Sequence, residues 1–518
     1  NIDSWMIYSD YQNIIENSND NNIPGRVVLT SSKNNPNFIY AVFGAGFLNN
    51  MNFNLSYGTY IIKSINGGSD WTEISIPTSE PNEWASLAWH ALAISVHPDD
   101  PNIIFAGGLE LYRSLDGGQN WVDLSDWSLM YYGGGSRYIH ADIHQVIFDP
   151  NNSGAIAVSS DGGLFYSVNS LDESENVIFH ERNQGYNTLQ FYTCDISSEQ
   201  FGNFYVGGLQ DNGTLAVGFA SDDDGLFDIN DMITGGDGAF CFFDDNQPIL
   251  ITSTYYNAWY FFNYETNEFE YVNNSSGVFI NPSDYDSENN VLYANKVRFN
   301  GTQNNRLIKI DEDFETNTIN LNTNTSVYFS SVKVSEFSTN DETTLFLGTQ
   351  SGRLYKIQDI DNPNAEEIGD NNFPTANISS ISLGNNENEI MVTFSNYGVS
   401  SIWFTSDGGN DWIQKESNLP DMPVRWGLLH SEDSNYAMVA TEIGVWESNN
   451  FLMDNVSWYP SSNGLGNVRV DMLSLRKSDN AVVAATHGRG LYYTTYTLHE
   501  EVIGDLNNDD NINVLDVV

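Results

Sequence analysis

The stretch SRYIHADIHQ, residues 136–145, places His140, Asp142 and His144 at alternate positions. An extended strand would send all three side chains to one side. Two imidazoles and a carboxylate arranged in that way can hold a transition metal or supply an acid–base pair. The same pattern suits a hydrogen-bonded cluster at the start of a strand, with His144 bonded to a backbone carbonyl. Two further carboxylates stand in glycine-rich stretches, Asp211 in GGLQDNGT and Asp237 in GGDGAF. Neither stretch ends in Gly-Lys-Ser/Thr, so neither is a phosphate loop. If their repeats are neighbours, the two carboxylates could face each other, as glycoside hydrolysis requires. Capping of turns by Asp and Asn is the alternative.

The last fifteen residues, GDLNNDDNINVLDVV, follow the pattern D-x-N-x-D-x-x-x-N-x-x-D. Asp505, Asn507 and Asp509 take positions 1, 3 and 5. Asn511 offers its carbonyl at position 7, Asn513 sits at position 9 and Asp516 at position 12. Hard oxygen ligands at this spacing wrap calcium. The loop resembles the first loop of a dockerin, which implies attachment to a dockerin-type partner outside the cell. Asp510 departs from the pattern, because position 6 is normally glycine. Dockerins carry two such loops and one is present here, so the chain is expected to continue past Val518.

The elements that must position these residues come from a repeat. ALAISVHPDDPNIIFAGGLELYRSLDGGQNWVDL, HQVIFDPNNSGAIAVSSDGGLFYSV and VDMLSLRKSDNAVVAATHGRGLYYTTY share one plan of short apolar strands separated by Gly, Asn, Asp and Pro turns. About ten units begin near Val27, Ala91, Ile143, Leu189, Ala239, Phe279, Val327, Ile378, Val424 and Val468. A period of roughly 40–50 residues is that of propeller blades. The strands alternate and are rich in Val, Ile, Phe and Tyr, and no long stretch has helical periodicity. The expected fold is all-β: a single propeller of about ten four-stranded blades over residues 1–500. Residues 4–10 would complete the last blade, and residues 501–518 form a partial calcium-binding segment.

Three turns, SINGGSDW, SLDGGQNW and TSDGGNDW, sharpen this expectation. An Asx side chain can bond nearby backbone donors, glycine can take positive φ, and Trp can pack into the sheets. The turns resemble the Asp-box of sialidases, sortilin-type receptors and xyloglucanase-type glycoside hydrolases. Asn66 and Thr405 depart from the motif, as do Asp70, Asn120 and Asp411. The resemblance covers residues ~20–500 and implies a fold more than a function. The Arg-Ile-Pro entry motif of sialidases is absent.

In a blade with strands A to D, the links before strand A and the B-to-C turns emerge on one face. That rule gathers Trp89, His90, His140, Asp142, His144, Asp237, Arg425, Trp426 and Arg469 with Glu110, Asp161, Gln210, Asp211, Asn212, Glu442, His487 and Arg489. Convergent polar and titratable groups mark a binding site. The expected ligand-binding residues are His90, His140, His144, Gln210, Asn212, Arg425, Trp426, Glu442, His487 and Arg489. The carboxylates to test for catalysis are Asp142, Asp211 and Asp237. Two aromatic stretches, SLMYYGGGSRY and YYNAWYFFNYETNEFEYV, offer faces for sugar rings.

Composition narrows the partners. The 518 residues carry 69 acids against 19 Lys plus Arg, a formal charge of −50. Such a field repels nucleic acid and anionic membrane surfaces. No run of eighteen apolar residues exists to span a bilayer. The two cysteines, Cys194 and Cys241, lie in apolar contexts and read as buried thiols. The expected protein is extracellular or at the cell surface: a platform binding carbohydrate or a protein partner. A polysaccharide-cleaving enzyme and a structural assembly protein are the alternatives.

Overall fold

The computed structural model describes residues 23–48, 54–218, 231–298, 306–323, 328–338, 342–369, 371–461 and 464–498. The expected latch at residues 4–10 and the calcium loop at 505–516 lie outside them. Within them the chain is all-β, as expected. Ten antiparallel sheets follow one another, nine four-stranded and one three-stranded, each a meander whose strands pair in chain order. This is the build of a β-propeller. No helix among the described residues is long and apolar enough to cross a membrane.

The chain divides into two compact units, residues 1–186 and 187–518. The first unit holds three sheets, at 23–74, 93–123 and 143–181. Their inner strands pack in sequence, Ile23–Ser31 against Ala93–Val96 and that strand against Ile143–Asp149. The second unit holds seven, at 195–234, 238–273, 283–320, 329–367, 378–414, 424–460 and 470–495.

Ten sheets match the expected number, but their closure differs from a single ring. The first strand of the second unit, Asp195–Ile196, packs against Val470–Arg476 of its last sheet. Seven sheets therefore close on themselves. Fully buried Cys194 sits in the seam, its thiol near the carbonyls of Met472 and Val483. Arg476 reaches across it to the Ser197 carbonyl and to Asn203. Cys241 is likewise buried, and both thiols are free.

Sheet faces are buried by aliphatic and aromatic layers. One cluster joins Phe346, Ile378, Val392 and Trp403; another joins Phe404, Val424, Val439 and Trp458. Several outermost strands are only two residues long, as in Glu366–Glu367 and Ile413–Gln414, which leaves little edge to pair.

The three signature turns join the third and fourth strands of their sheets and bond as their residue types require. The Ser114 hydroxyl accepts from Gly118 N–H at 2.9 Å and the Asp116 carboxylate from Asn120 N–H at 2.9 Å. Thr405 and Asp407 do the same for Gly409 and Asp411 at 3.1 and 3.0 Å. Trp121 and Trp412 donate their indole N–H to the previous sheet, at Ser75 and Ile368. Two more turns of this kind escape the sequence pattern. Asn169 receives Ile178 N–H, and Asn450 receives Ser457 N–H. Trp458 then donates to the Lys415 carbonyl of the preceding sheet at 2.8 Å.

Candidate functional site

The side chains that gather near the inner strand ends are aimed by a repeated irregularity. In the sheet at 143–181, Ile143 pairs with Ser160 and Gln145 with Ser159, which leaves His144 as an extra residue. In the sheet at 424–460, Val424 pairs with Thr441 and Trp426 with Ala440, leaving Arg425. In the sheet at 470–495, Val470 pairs with Thr486 and Met472 with Ala485, leaving Asp471. Each is a bulge at the second residue of the inner strand, and a bulge re-aims the side chain it carries. Where the residue is serine, the hydroxyl bonds the next sheet instead: Ser330 to the Ile378 carbonyl and Ser379 to the Val424 carbonyl.

In the first unit the bulge turns His144 toward Asp161, in the two-residue turn that joins Asn152–Ser160 to Gly163–Ser167. His144 Nε2 contacts Asp161 Oδ1, and His90 Nε2 stands 2.9 Å from Asp161 Oδ2. The two imidazoles meet edge-to-face, with centroids 5.0 Å apart. His90 ends a tight turn in which its N–H donates to the Leu87 carbonyl at 2.7 Å; its own carbonyl accepts from Arg26. Beside it the Trp89 indole is 62% exposed. Burial pushes Asp161 up, but the hydrogen bonds with His144 and His90 outweigh it and hold the carboxyl down at about 2. The same bond from Asp161 raises His144.

The expected strand alternation of His140, Asp142 and His144 is not what forms. The strand starts at Ile143 and Asp142 has φ of 66°, so the period of two does not extend back to His140. His140 is buried over Gly162, where a Cβ would lie 2.3 Å from its ring, and its Nδ1 lies 3.1 Å from the Ala141 carbonyl oxygen. Asp142 is buried; desolvation and the Asp161 charge raise its carboxyl against the pull of three histidines. Glu110 is pushed up to about 7 by burial, although Ser125 and the Trp127 N–H both bond its carboxylate.

In the second unit a larger network straddles the ring closure. Arg425 Nε donates to Glu442 Oε1 at 2.7 Å, and its Nη1 lies 3.6 Å from Asp471 Oδ1. Arg469 donates to that same oxygen at 2.8 and 2.6 Å. His487 Nδ1 lies 3.5 Å from Asp471 Oδ2. Burial raises the Tyr192 phenol, helped by the charges of Asp237 and Asp211 and by a hydrogen bond to Asp237. Asp237 Oδ1 accepts from the Asp211 backbone N–H at 3.2 Å, and Asp211 has φ of 58°. Gln210 and Asn212 shape this turn: Gln210 N–H bonds the Gln190 carbonyl, and Asn212 Nδ2 bonds that of Gln210.

The expected site residues thus fall into two groups. His90, His140, Asp142 and His144 belong to the first unit. Gln210, Asp211, Asn212, Asp237, Arg425, Trp426, Glu442, His487 and Arg489 belong to the second. Trp426 packs between two apolar clusters. Arg489 is exposed, and its backbone carbonyl accepts from Asn187. Asp471, the hub of the second group, is not among the residues expected from sequence; the signal for it is the second position of an inner strand, matching His144 and Arg425. Tyr131 and Tyr132 are 52% and 81% exposed, on the short helix Trp127–Tyr132. Tyr138 instead packs edge-on against Phe165.

Neither a protein-family model nor a curated protein sequence matches the chain. Among solved structures, the crystal structure of the GH74 xyloglucanase from Xanthomonas campestris aligns with a TM-score of 0.57. The alignment covers 93% of this chain and 68% of that one, at 15% identity. The likeness is one of fold.

Proposed function

We propose that the chain is an extracellular or cell-surface platform that binds a neutral polysaccharide, with the polar network of the second unit as its ligand site. The observation that supports this reading is the convergence of Tyr192, Asp237, Arg425, Glu442, Arg469, Asp471 and His487 from four sheets of one closed ring. Planar carboxylates and guanidinia fixed by one another present paired donors and acceptors, which suit vicinal hydroxyls. Arg425 and Glu442 are each about a quarter exposed, so a ligand can reach them. The net charge of −50 disfavours an acidic glycan and leaves a neutral one. A xyloglucanase as structural neighbour makes plant glucans the first class to try. The calcium loop at 505–516 would then tether the platform to a dockerin-type partner.

Cleavage is the competing activity. Glycosidases set two carboxyl groups about 5–10 Å apart across the scissile bond. Asp237, one of the pair expected from sequence, is engaged with the Asp211 backbone and Tyr192, which favours positioning over attack. The test is a panel of soluble neutral glucans, xyloglucan included, read by calorimetry and by reducing-end release. Binding without release is expected. Release of reducing ends would replace this reading with a hydrolase, and Asp142, Asp211 and Asp237 would be the residues to remove. Neither binding nor release would leave a protein ligand as the reading.

A further inference from the structure

We propose that His90, His144 and Asp161 of the first unit form a binding site for one first-row divalent cation, zinc foremost. The three side chains come from separate places: a tight turn before the second sheet, the bulge of the third sheet, and that sheet's hairpin turn. Their ligand atoms, two imidazole nitrogens and a carboxylate oxygen, all lie within 4.8 Å of one another. No other group of three or more such side chains meets that spacing among the described residues.

The geometry suits a metal. Two ligands each about 2.0–2.1 Å from one ion stand about 3 Å apart. His90 Nε2 and Asp161 Oδ2 are 2.9 Å apart already. Both histidines present the Nε2 nitrogen, and both aim it at the same carboxylate. A cation entering between them would take over the contacts that the two imidazoles now make with Asp161.

The donor set also selects the ion. Two nitrogens and one oxygen favour zinc, cobalt, nickel or copper over calcium or magnesium. The site is therefore chemically distinct from the all-oxygen loop proposed at 505–516. The histidine side chains are each 32% exposed and Asp161 12% exposed, so an ion can enter and an exogenous ligand can complete its shell. The exposed Trp89 ring lies beside this cluster, its centroid 5.5 Å from that of His90. Metal binding at these three residues is independent of any polysaccharide bound to the second unit.

The test is titration of the full chain with Zn²⁺ by calorimetry, and with Co²⁺ by its visible d–d absorption, both in excess Ca²⁺. One equivalent should bind. His90→Ala, His144→Ala and Asp161→Asn should each weaken binding at least about tenfold, while His180→Ala, on an exposed outer strand, should leave it unchanged. Where an alanine variant fails to fold by circular dichroism, His144→Gln replaces it. Anomalous diffraction at the zinc edge should place the ion between the three side chains. No stoichiometric binding would overturn the site and leave a His–Asp–His hydrogen-bonded clamp. So would undiminished binding by a His90→Ala/His144→Ala double variant, or a zinc peak elsewhere.

Discussion

The Ser474 hydroxyl donates to Asp195 Oδ1 at 2.7 Å, although the two residues are 279 positions apart in the chain. The other oxygen of Asp195 accepts from Phe243 N–H at 2.7 Å. One carboxyl group therefore ties the first sheet of the second unit to both of its neighbours, the last sheet on one side and the second on the other.

Burial pushes this carboxyl up to about 7, against the pull of its backbone and Ser474 bonds. The folded form thus keeps a proton that the unfolded chain releases near 3.8. Its contribution is fully present below that value and declines as pH rises toward 7. In urea unfolding between pH 4 and 8, Asp195→Asn should show a smaller loss of stability with rising pH than the parent. Asp195→Ala should cost about 1–3 kcal/mol at pH 5, because Phe243 N–H and Ser474 lose their acceptor. Equal pH slopes for the parent and Asp195→Asn would remove the carboxyl from this role.

The signature turns can be tested at two glycines with similar backbones. Gly118 has φ of 88°, and a Cβ there would lie 2.3 Å from Ile74 Cδ1 of the preceding sheet. Gly133 has φ of 82° and nothing within 4 Å. Gly133→Ala should cost about 1–2 kcal/mol, the strain of a left-handed alanine. Gly118→Ala should add up to about 1 kcal/mol, the cost of turning the Ile74 side-chain tip aside. Chemical denaturation of the two variants measures the difference; equal costs would show that the turn does not brace the neighbouring sheet.

Arg425 joins Glu442 to Asp471 on a partly exposed surface. Arg425→Ala should lower affinity for the proposed glycan at least tenfold. Folding stability should fall by about 1–3 kcal/mol, because Glu442 loses its partner in a largely buried pair while Asp471 keeps Arg469. Calorimetry with the tightest-binding glucan, paired with thermal unfolding, separates the two effects. Unchanged affinity would move the ligand away from this network.

The proposed calcium loop should act independently of the sheets. Ca²⁺ should bind and Asp505→Ala should abolish that binding, while the main thermal transition stays in place with or without chelator. A large fall in that transition on chelation would place calcium within the propeller as well.

Much of this architecture is legible in local sequence. Repeat starts expected at Ile143, Ile378 and Val424 coincide with inner strands, because apolar alternation and turn residues act over a few positions. The closure is not legible: Asp195 and Ser474 carry no mark of each other, and only packing reveals that the seventh sheet meets the first. The His140–Asp142–His144 pattern misleads because alternation holds only inside a strand, and the bulge that re-aims His144 is a register effect between two strands. The Asn450 turn is hidden for a related reason: its Trp458 does the work of Trp121 and Trp412 from a greater distance along the chain.

The Asn187 side chain donates to the carbonyl of Arg489, so the chain enters the seven-sheet ring against the hairpin turn of its last sheet, one strand length from where it leaves. Such a ring has no intrinsic first sheet. Joining residue 496 to 187 with a linker long enough to run back along Gly490–Thr495, about 20 Å, and opening the chain between any other two sheets would give a circular permutant with every sheet intact. The order of sheets in the sequence is one of seven equivalent cuts through the same closed object.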